Sequence, residues 1–566
     1  MKKIVVMIGM GILSLSALHA QQDSTLNRTV VVENEYNPTV MDASKINVMP
    51  KMNEPKATKK NIDYATSLRP VSAWDYQVMS PVVRDWQTGG AYRGYLHAGY
   101  GNNGNVDLGV GYLWNISEKD RLNISASLDG WNGELKGWHR LFMDWSAKEW
   151  TSRLYNTKVE VDYKHSFKQM DLYLGGNFRS QVFTYMPSEI MIGGPIESGV
   201  YPQRQTLADG HFGFASTDKE MPVGFSAEVG MNYFKINHET LGLGVGNETN
   251  LYAKGDVWKR LNEENRFGLK VKFDNYAYSI NKGNGAGIDN ASAIDLNPYY
   301  SMENEIWRIR LGANIDWWGG DDDKLYLSPD VHAEYVFAGN YVVYAQAVGG
   351  RCTHSFYELS SQFSPYWLTD RLISTYTTLD AAIGLKASPA NGWWFNLTGG
   401  YRISENDLNP YLNFDGRSSY TALAQGKSNV LYGRAELEYN YKDLWNVYLK
   451  GTYYHWDWKE LYDSQDSGKE NNFMELVGLM PEMEVSAGVG AKVMEGLQVN
   501  VGYDYVKRTN EIYEPVSNLH LDATYALIKN LQVYGKINNL LGKEYVRPDG
   551  YPAQGFNFLA GISFQF

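Results

Sequence analysis

GFNFLAGISFQF, residues 555–566, closes the chain, and its reading decides the fold. Phe556, Phe558, Ala560, Ile562, Phe564 and Phe566 are apolar at every second position, with Asn557, Gly561, Ser563 and Gln565 between them. Side chains of a strand point alternately to opposite faces, so this is a strand with one apolar face and one face of small and polar groups. It ends, at its last residue, on an aromatic group that belongs to the apolar face. The question is what that face meets.

Composition narrows the answer. Tyr (42), Trp (17) and Gly (55) are all abundant, while mean hydropathy is only −0.42. Soluble globular chains seldom combine so much Tyr and Trp with so much Gly. A helical membrane protein needs runs of about 20 apolar residues, and none occurs after the first twenty positions. A transmembrane barrel fits both facts, because only alternate residues face lipid and the average stays polar. The net charge of −12 argues against a nucleic-acid partner. Cys352 is the single cysteine, so no internal disulfide forms.

The N-terminus agrees. MKKIVVMIGMGILSLSALHA has Lys2 and Lys3, an apolar run from Ile4 to Leu18, and Ala20 before the polar QQDS. That order describes a secretory signal peptide over residues 1–20, removed after Ala20. Residues 21–90 hold Pro38, Pro50, Pro55, Pro70 and Pro81 and the run KATKKN, with no sustained helix or strand period. They read as an extended periplasmic segment. The barrel is expected over 91–566.

From Ala91 onward, alternating segments of about ten residues recur to the end. VDLGVGYLWNI sets Val106, Leu108, Val110, Tyr112, Trp114 and Ile116 on one face. After the turn SEKDR, Leu122, Ile124, Ala126 and Leu128 resume it. The pattern predicts an all-β, antiparallel transmembrane barrel of about 22 strands. Short links such as SEKDR (117–121), HSFKQ (165–169), RLNEEN (260–265) and MEGL (494–497) follow even-numbered strands. Long links over 130–150, 179–206, 351–376, 403–428 and 457–481 follow odd-numbered ones. Outer-membrane barrels have short periplasmic turns and long outer loops, which puts both termini in the periplasm. Trp114, Tyr163, Trp258, Trp307, Trp317, Trp318, Trp393, Trp445, Tyr453 and Tyr525 sit near predicted strand ends, as in the aromatic girdles that meet lipid headgroups.

The last thirty residues carry a resemblance. Asn539-Leu540, Lys543-Glu544-Tyr545, Gly550-Tyr551-Pro552, Gly555 and the final Phe566 are similar to the C-terminal signature of TonB-dependent receptors. The sequence style resembles outer-membrane proteins of Gram-negative Bacteroidota. The resemblance implies a 22-stranded barrel in the outer membrane. It also implies that Phe564 and Phe566 form the signal read by the outer-membrane assembly machinery. A full plug domain, which such receptors carry in the lumen, does not fit into residues 21–90. Thr29, Val30, Val31 and Val32 resemble the short box that adds as a strand to TonB, for which a β-branched run is suited. A loose tail that packs on another periplasmic partner would read the same way.

Inward faces are polar and of mixed charge: Glu160 and Asp162, Lys270 and Lys272, Arg308, Arg310 and Asp316, Arg434 and Glu436, and Asp522. Such groups line a watery lumen or pair across strands. Asp321, Asp322 and Asp323 lack the spaced ligands of a calcium loop and read as a solvated turn. SFYELSSQFSPYWLTDR (355–371) crowds aromatic and acidic residues into one loop, able to stack on a partner or to fold inward and narrow the pore. No GxSxG elbow, HExxH pair, metal-spaced Cys/His set or phosphate loop before a helix occurs, so no enzyme, metal or cofactor is expected.

Two functions follow from these expectations. One is an uptake channel, TonB-dependent receptor-like or porin-like, without a full plug. The other is a structural or accessory subunit of an outer-membrane assembly bound to a lipoprotein or periplasmic partner. The first test concerns the terminus. Phe566→Lys is expected to cut the level of folded barrel in membranes sharply. A lipid-facing lysine costs up to about 2–4 kcal/mol at the midplane and less near an interface. Unchanged amounts of heat-modifiable barrel on gels would contradict it.

Overall fold

A computed structural model describes residues 93–566, apart from 137–148, 188–201, 218–220, 239–243, 282–286, 321–323, 363–371, 415–417, 464–478, 548–549 and the single positions 339 and 443. The expected signal peptide, the 21–90 segment, Thr29–Val32 and Asp321–Asp323 lie outside the described residues.

The described chain is almost wholly strand. Twenty-two strands, from Gly94–Gly101 to Asn557–Gln565, pair with their sequence neighbours, all antiparallel. The ring closes where the first strand pairs with the last, from Tyr95↔Gln565 to Gly101↔Leu559. A closed ring satisfies every backbone group without a free edge, which hydrocarbon demands. Phe566 completes the seam: its carbonyl accepts from the N–H of Arg93 and Gly94, and its N–H donates to the Gly94 carbonyl at 3.0 Å. Gly101 is obligatory there, since a Cβ would lie 1.8 Å from the Phe558 carbonyl oxygen.

The alternation holds along the wall. Phe556, Phe558, Ile562 and Phe566 are exposed on the outside, whereas Asn557, Leu559 and Gln565 are buried inside. Leu108, Val110, Tyr112 and Trp114 are likewise exposed, in register with Leu128, Ala126, Ile124 and Leu122. The glycines between them are not idle space: a Cβ on Gly109 or Gly111 would meet the ring of His97 or Tyr95 at 2.1 and 2.2 Å.

The link lengths keep their rhythm. Links after even-numbered strands are two to six residues long, and both ends of the barrel therefore emerge on the short-turn rim. The other rim carries the long links, including 353–374 and 539–556. Three links there are also short, 102–105, 320–323 and 415–417.

Several expectations need correction. Residues 403–428 are not a loop. Strands Trp393–Phe414 and Ser418–Tyr441 stay paired out to Phe414↔Ser419, with a register shift between Ser404 and Asp407 where Asn406 takes φ 52°. The 457–481 link is likewise shortened, because strand Trp445–Asp463 runs into it. The stretches around 206–216 and 292–300, by contrast, are strands as the alternating pattern expects, Pro202–Ser216 and Ala291–Glu303. Two of the expected girdle residues face the lumen: the Trp258 ring fills the space beside Gly224, on the same face as Lys254 and Asp256, and Trp318 lies 5.3 Å from the Arg351 guanidinium. An aromatic near a strand end faces lipid only if its parity does.

Facing predicts a paired result. Val110→Arg is expected to block accumulation of folded barrel, because charge on the lipid face costs about 2–4 kcal/mol near the midplane. Ser127→Arg, on the lumen face of the neighbouring strand, is expected to leave it near wild type. Equal losses on membrane fractionation would overturn the assigned faces.

Candidate functional site

The inner wall is a set of separate charge pairs rather than one pocket. Lys270 and Arg310 share the ring of Tyr299, at 5.7 and 3.9 Å from its centroid. Arg310 donates to Asp330 and to the Asn297 side-chain amide oxygen Oδ1, both at 2.7 Å, and the Tyr299 hydroxyl donates to Asp256 at 3.0 Å. Higher on the wall, Lys272 pairs with Asp274 at 2.7 Å. Asp316 stands opposite Asp295 in register and accepts from the Arg351 backbone N–H, while the Arg351 guanidinium holds Asp295 at 2.6 and 2.8 Å.

The remaining expected residues are spread around the ring. Arg308 reaches Glu334 at 3.4 Å, and Glu334 also takes Lys386 at 2.7 Å. Glu160 pairs with Lys158, and Asp162 faces inward two residues further along the same strand. Glu436 accepts from Asn396 at 3.0 Å, with Arg434 beside it on the face opposite Leu431 and Leu437. Asp522 lies between Asn500 and Lys536 in register. Most of these charges have a partner, which is what a wall with limited water requires.

The feature that docks on the lumen wall is a helix, α1, Phe356–Gln362, inside the 353–374 link. Its start is set by Ser355, whose hydroxyl accepts from the Glu358 N–H at 3.1 Å. Ser355-Phe-Tyr-Glu358 is a capping-box sequence, and it was the available signal for this helix. The link arises between strands Tyr341–Cys352 and Thr375–Ala387, yet the helix docks on strands much earlier in the chain. Phe356 stacks on Phe234 at 5.8 Å and meets Tyr278 edge-on at 5.9 Å. Leu359 joins Leu207, Phe234, Ile236, Ile280 and Ile288 in one buried cluster.

Polar contacts fix the helix to the same wall. Glu248, 1% exposed, accepts from the N–H of Phe356 at 2.8 Å and of Tyr357 at 3.0 Å. The first N–H groups of a helix lack internal partners and favour negative charge, so this carboxylate serves both needs. The Tyr357 hydroxyl donates to Asp209 at 3.1 Å, and Arg179 donates to the Ser361 carbonyl at 2.8 Å. Asp209 is the middle residue of strand Pro202–Ser216. The Tyr357 side chain therefore reaches the middle of the wall.

The far side of the ring completes the cap. Leu408 and Leu423, from the long hairpin, join the cluster around Phe356. Gln425 bonds both the N–H and the carbonyl of Ile373, at 3.0 and 2.6 Å. Met186–Pro187 pairs with Ser418 and Ser419, extending the hairpin edge with backbone from the opposite wall. The 355–371 loop thus folds inward in its described part, the second of its two expected behaviours.

The C-terminal motif proves to be a folded cap on the same rim. Asn539, at φ 47°, donates to the Lys543 and Gln554 carbonyls at 2.7 and 2.9 Å and accepts from the Lys543 N–H. Val546 and Tyr551 are buried, Arg508 donates to the Val546 carbonyl, and Arg547 lies 4.9 Å from the Trp131 ring. Burial pushes the Tyr545 hydroxyl up to about 12. Among the described residues no cluster of His, Cys, Asp and Glu is arranged to hold a metal ion.

No family model matches the sequence, and no curated protein matches it. The fold has clear structural neighbours. The FrpB iron transporter from Neisseria meningitidis (F3-3 variant) aligns with TM-score 0.64 at 11% identity, over 84% of this chain and 81% of its own. A copper transporter, OprC, aligns with TM-score 0.61 at 11% identity, over 84% and 80%. The ferric-catecholate import receptor Fiu from E. coli K12 gives 0.58 at 12%, over 84% and 82%. These neighbours are TonB-dependent receptors, and what the chain shares with them is the closed 22-strand barrel.

Asn539→Ala removes three hydrogen bonds and leaves a strained backbone, a loss of about 3 kcal/mol for the cap. Faster proteolytic cleavage within 540–553, with the barrel still heat-modifiable, is the expected result. Wild-type cleavage kinetics would contradict it.

Proposed function

We propose that the chain is an outer-membrane transport barrel that admits a nutrient solute through a lumen capped on its outer rim. The observation that carries this reading is the cap itself. A ring of twenty-two strands is wider than its own side chains can fill, and here α1, the 393–441 hairpin and the 539–556 link are packed into its mouth. A purely structural ring gains nothing from a polar inner wall guarded by a docked helix. The long-link rim faces outward and the short-turn rim, with Gly94 and Phe566, faces the periplasm, in line with the link lengths of such barrels.

The neighbours' names give the class of cargo to try first: iron, copper and ferric-catecholate chelates. Thr29–Val32 is the segment proposed to engage TonB by strand addition. In the native host, deleting the gene is expected to lower accumulation of radiolabelled iron–catecholate or copper under limitation, with recovery on complementation. Val31→Pro, which blocks strand pairing, should reproduce the defect with normal barrel levels. Unchanged accumulation of both cargoes in the deletion strain would sink the metal reading. Rescue by Val31→Pro would sink the TonB role.

A further inference from the structure

We infer that α1 is a movable lid, held on the lumen wall by Glu248, Asp209 and Arg179, and that it detaches from the wall as a unit. The inference rests on the transport reading for its purpose but not for its evidence.

The anchoring is divided between two kinds of contact. Phe356 and Leu359 supply an apolar anchor in a buried cluster with Leu207, Phe234, Ile236, Ile280, Leu408 and Leu423. The other contacts are polar, and each joins the helix to a different strand: Glu248 on Gly246–Arg260, Asp209 on Pro202–Ser216, Arg179 on Met170–Thr184. All three act at a distance of more than a hundred residues along the chain. None of them belongs to the strands that flank the helix, Tyr341–Cys352 and Thr375–Ala387. Releasing them therefore frees the helix without breaking a single ladder bond of the barrel.

The wall is also built so that it survives the release. Asp209 has Asn177 and His211 beside it, which remain when Tyr357 leaves. Glu248 is different. No cation is paired with it among the described ion pairs; the Tyr278 side chain bonds it from the wall, and the two helix N–H groups supply its backbone hydrogen bonds. A buried carboxylate without such donors is costly, so the docked and undocked states differ by a defined set of bonds. A seven-residue helix has little stability of its own and depends on its dock. That is the property of an element whose position is set by contacts and can be reset by a competitor for them.

The test is hydrogen–deuterium exchange on the full chain in detergent, read by mass spectrometry. Glu248→Gln keeps the shape but presents an amide that can accept from only one helix N–H. Combined with Asp209→Asn and Arg179→Gln, it is expected to speed exchange in 356–362 by about tenfold or more. Strands 341–352, 375–387, 223–236 and 246–260 should keep wild-type protection. Unchanged exchange in 356–362 would overturn the lid. So would a rise shared by 223–236 and 246–260, because it would mean the three residues hold the wall together. Exchange needs no cargo, so loss of the transport reading with the expected exchange would leave the lid standing, and the reverse result would remove the lid alone.

Discussion

Everything in this barrel depends on the pairing of its first strand with its last. In hydrocarbon an unpaired N–H or carbonyl costs several kcal/mol, so a sheet survives there only when it has no edge. The closing pairs run from Tyr95↔Gln565 to Gly101↔Leu559, and both strands are short. Their grip is reinforced from the lumen side. Lys536, His97 and Asp107 meet across the seam, with His97 at 2.9 Å and Lys536 at 3.5 Å from the Asp107 carboxylate, and Tyr534 lies over Gly99 and Gly561. Glycine is needed at 561 because a Cβ would stand 2.4 Å from the Tyr534 ring. The terminal Phe566 is thus the end of a hydrogen-bonded closure as well as an apolar group on the outside.

Closure at this circumference creates the next constraint. The inner faces of twenty-two strands enclose more space than their side chains fill, and they must be polar wherever water enters. The wall answers with local pairs, such as Arg310 with Asp330 and Lys254 with Glu228, each bridging adjacent or next-adjacent strands. The mouth answers with segments borrowed from several links. Because α1 draws on strands far from its own, the mouth is held together by contacts independent of the ladder.

The period of two was legible because lipid imposes it: Val106 to Ile116 and Phe556 to Phe566 could be assigned faces from sequence alone. Link parity was legible for a similar reason, since each turn reverses the chain. What the sequence concealed was the chain beyond the membrane. The 404–428 stretch reads as a loop through its Asn, Ser and Gly content and Pro410, yet it pairs across a bulge at Asn406, because its partners are each other rather than lipid. Trp258 and Trp318 were misplaced because aromatics occupy both faces here, stacking on lumen groups as readily as on headgroups. The lumen charges could be named singly but not grouped: Lys270 and Arg310 come together over Tyr299 only through a register that no local pattern reveals. Glu248, Asp209 and Arg179 had no signal beyond their polarity, since their common partner is a helix more than a hundred residues away.

The division between wall and mouth has an energetic meaning. Each barrel strand is fixed by two continuous ladders, so opening any part of it exposes backbone to lipid. Residues at the mouth are fixed by discrete contacts over water, where backbone groups released from protein find solvent partners. Opening free energies in a folded protein range from near zero to the global value, and moving elements come from the low end. In this chain the contacts of that kind gather on the long-link rim, around α1. The apolar anchor of Phe356 and Leu359 makes docking favourable, while Glu248 makes it specific, since the docked position alone adds the two backbone donors to its buried carboxylate. An element docked with those two properties has one defined position and can leave it without strain in the wall behind it.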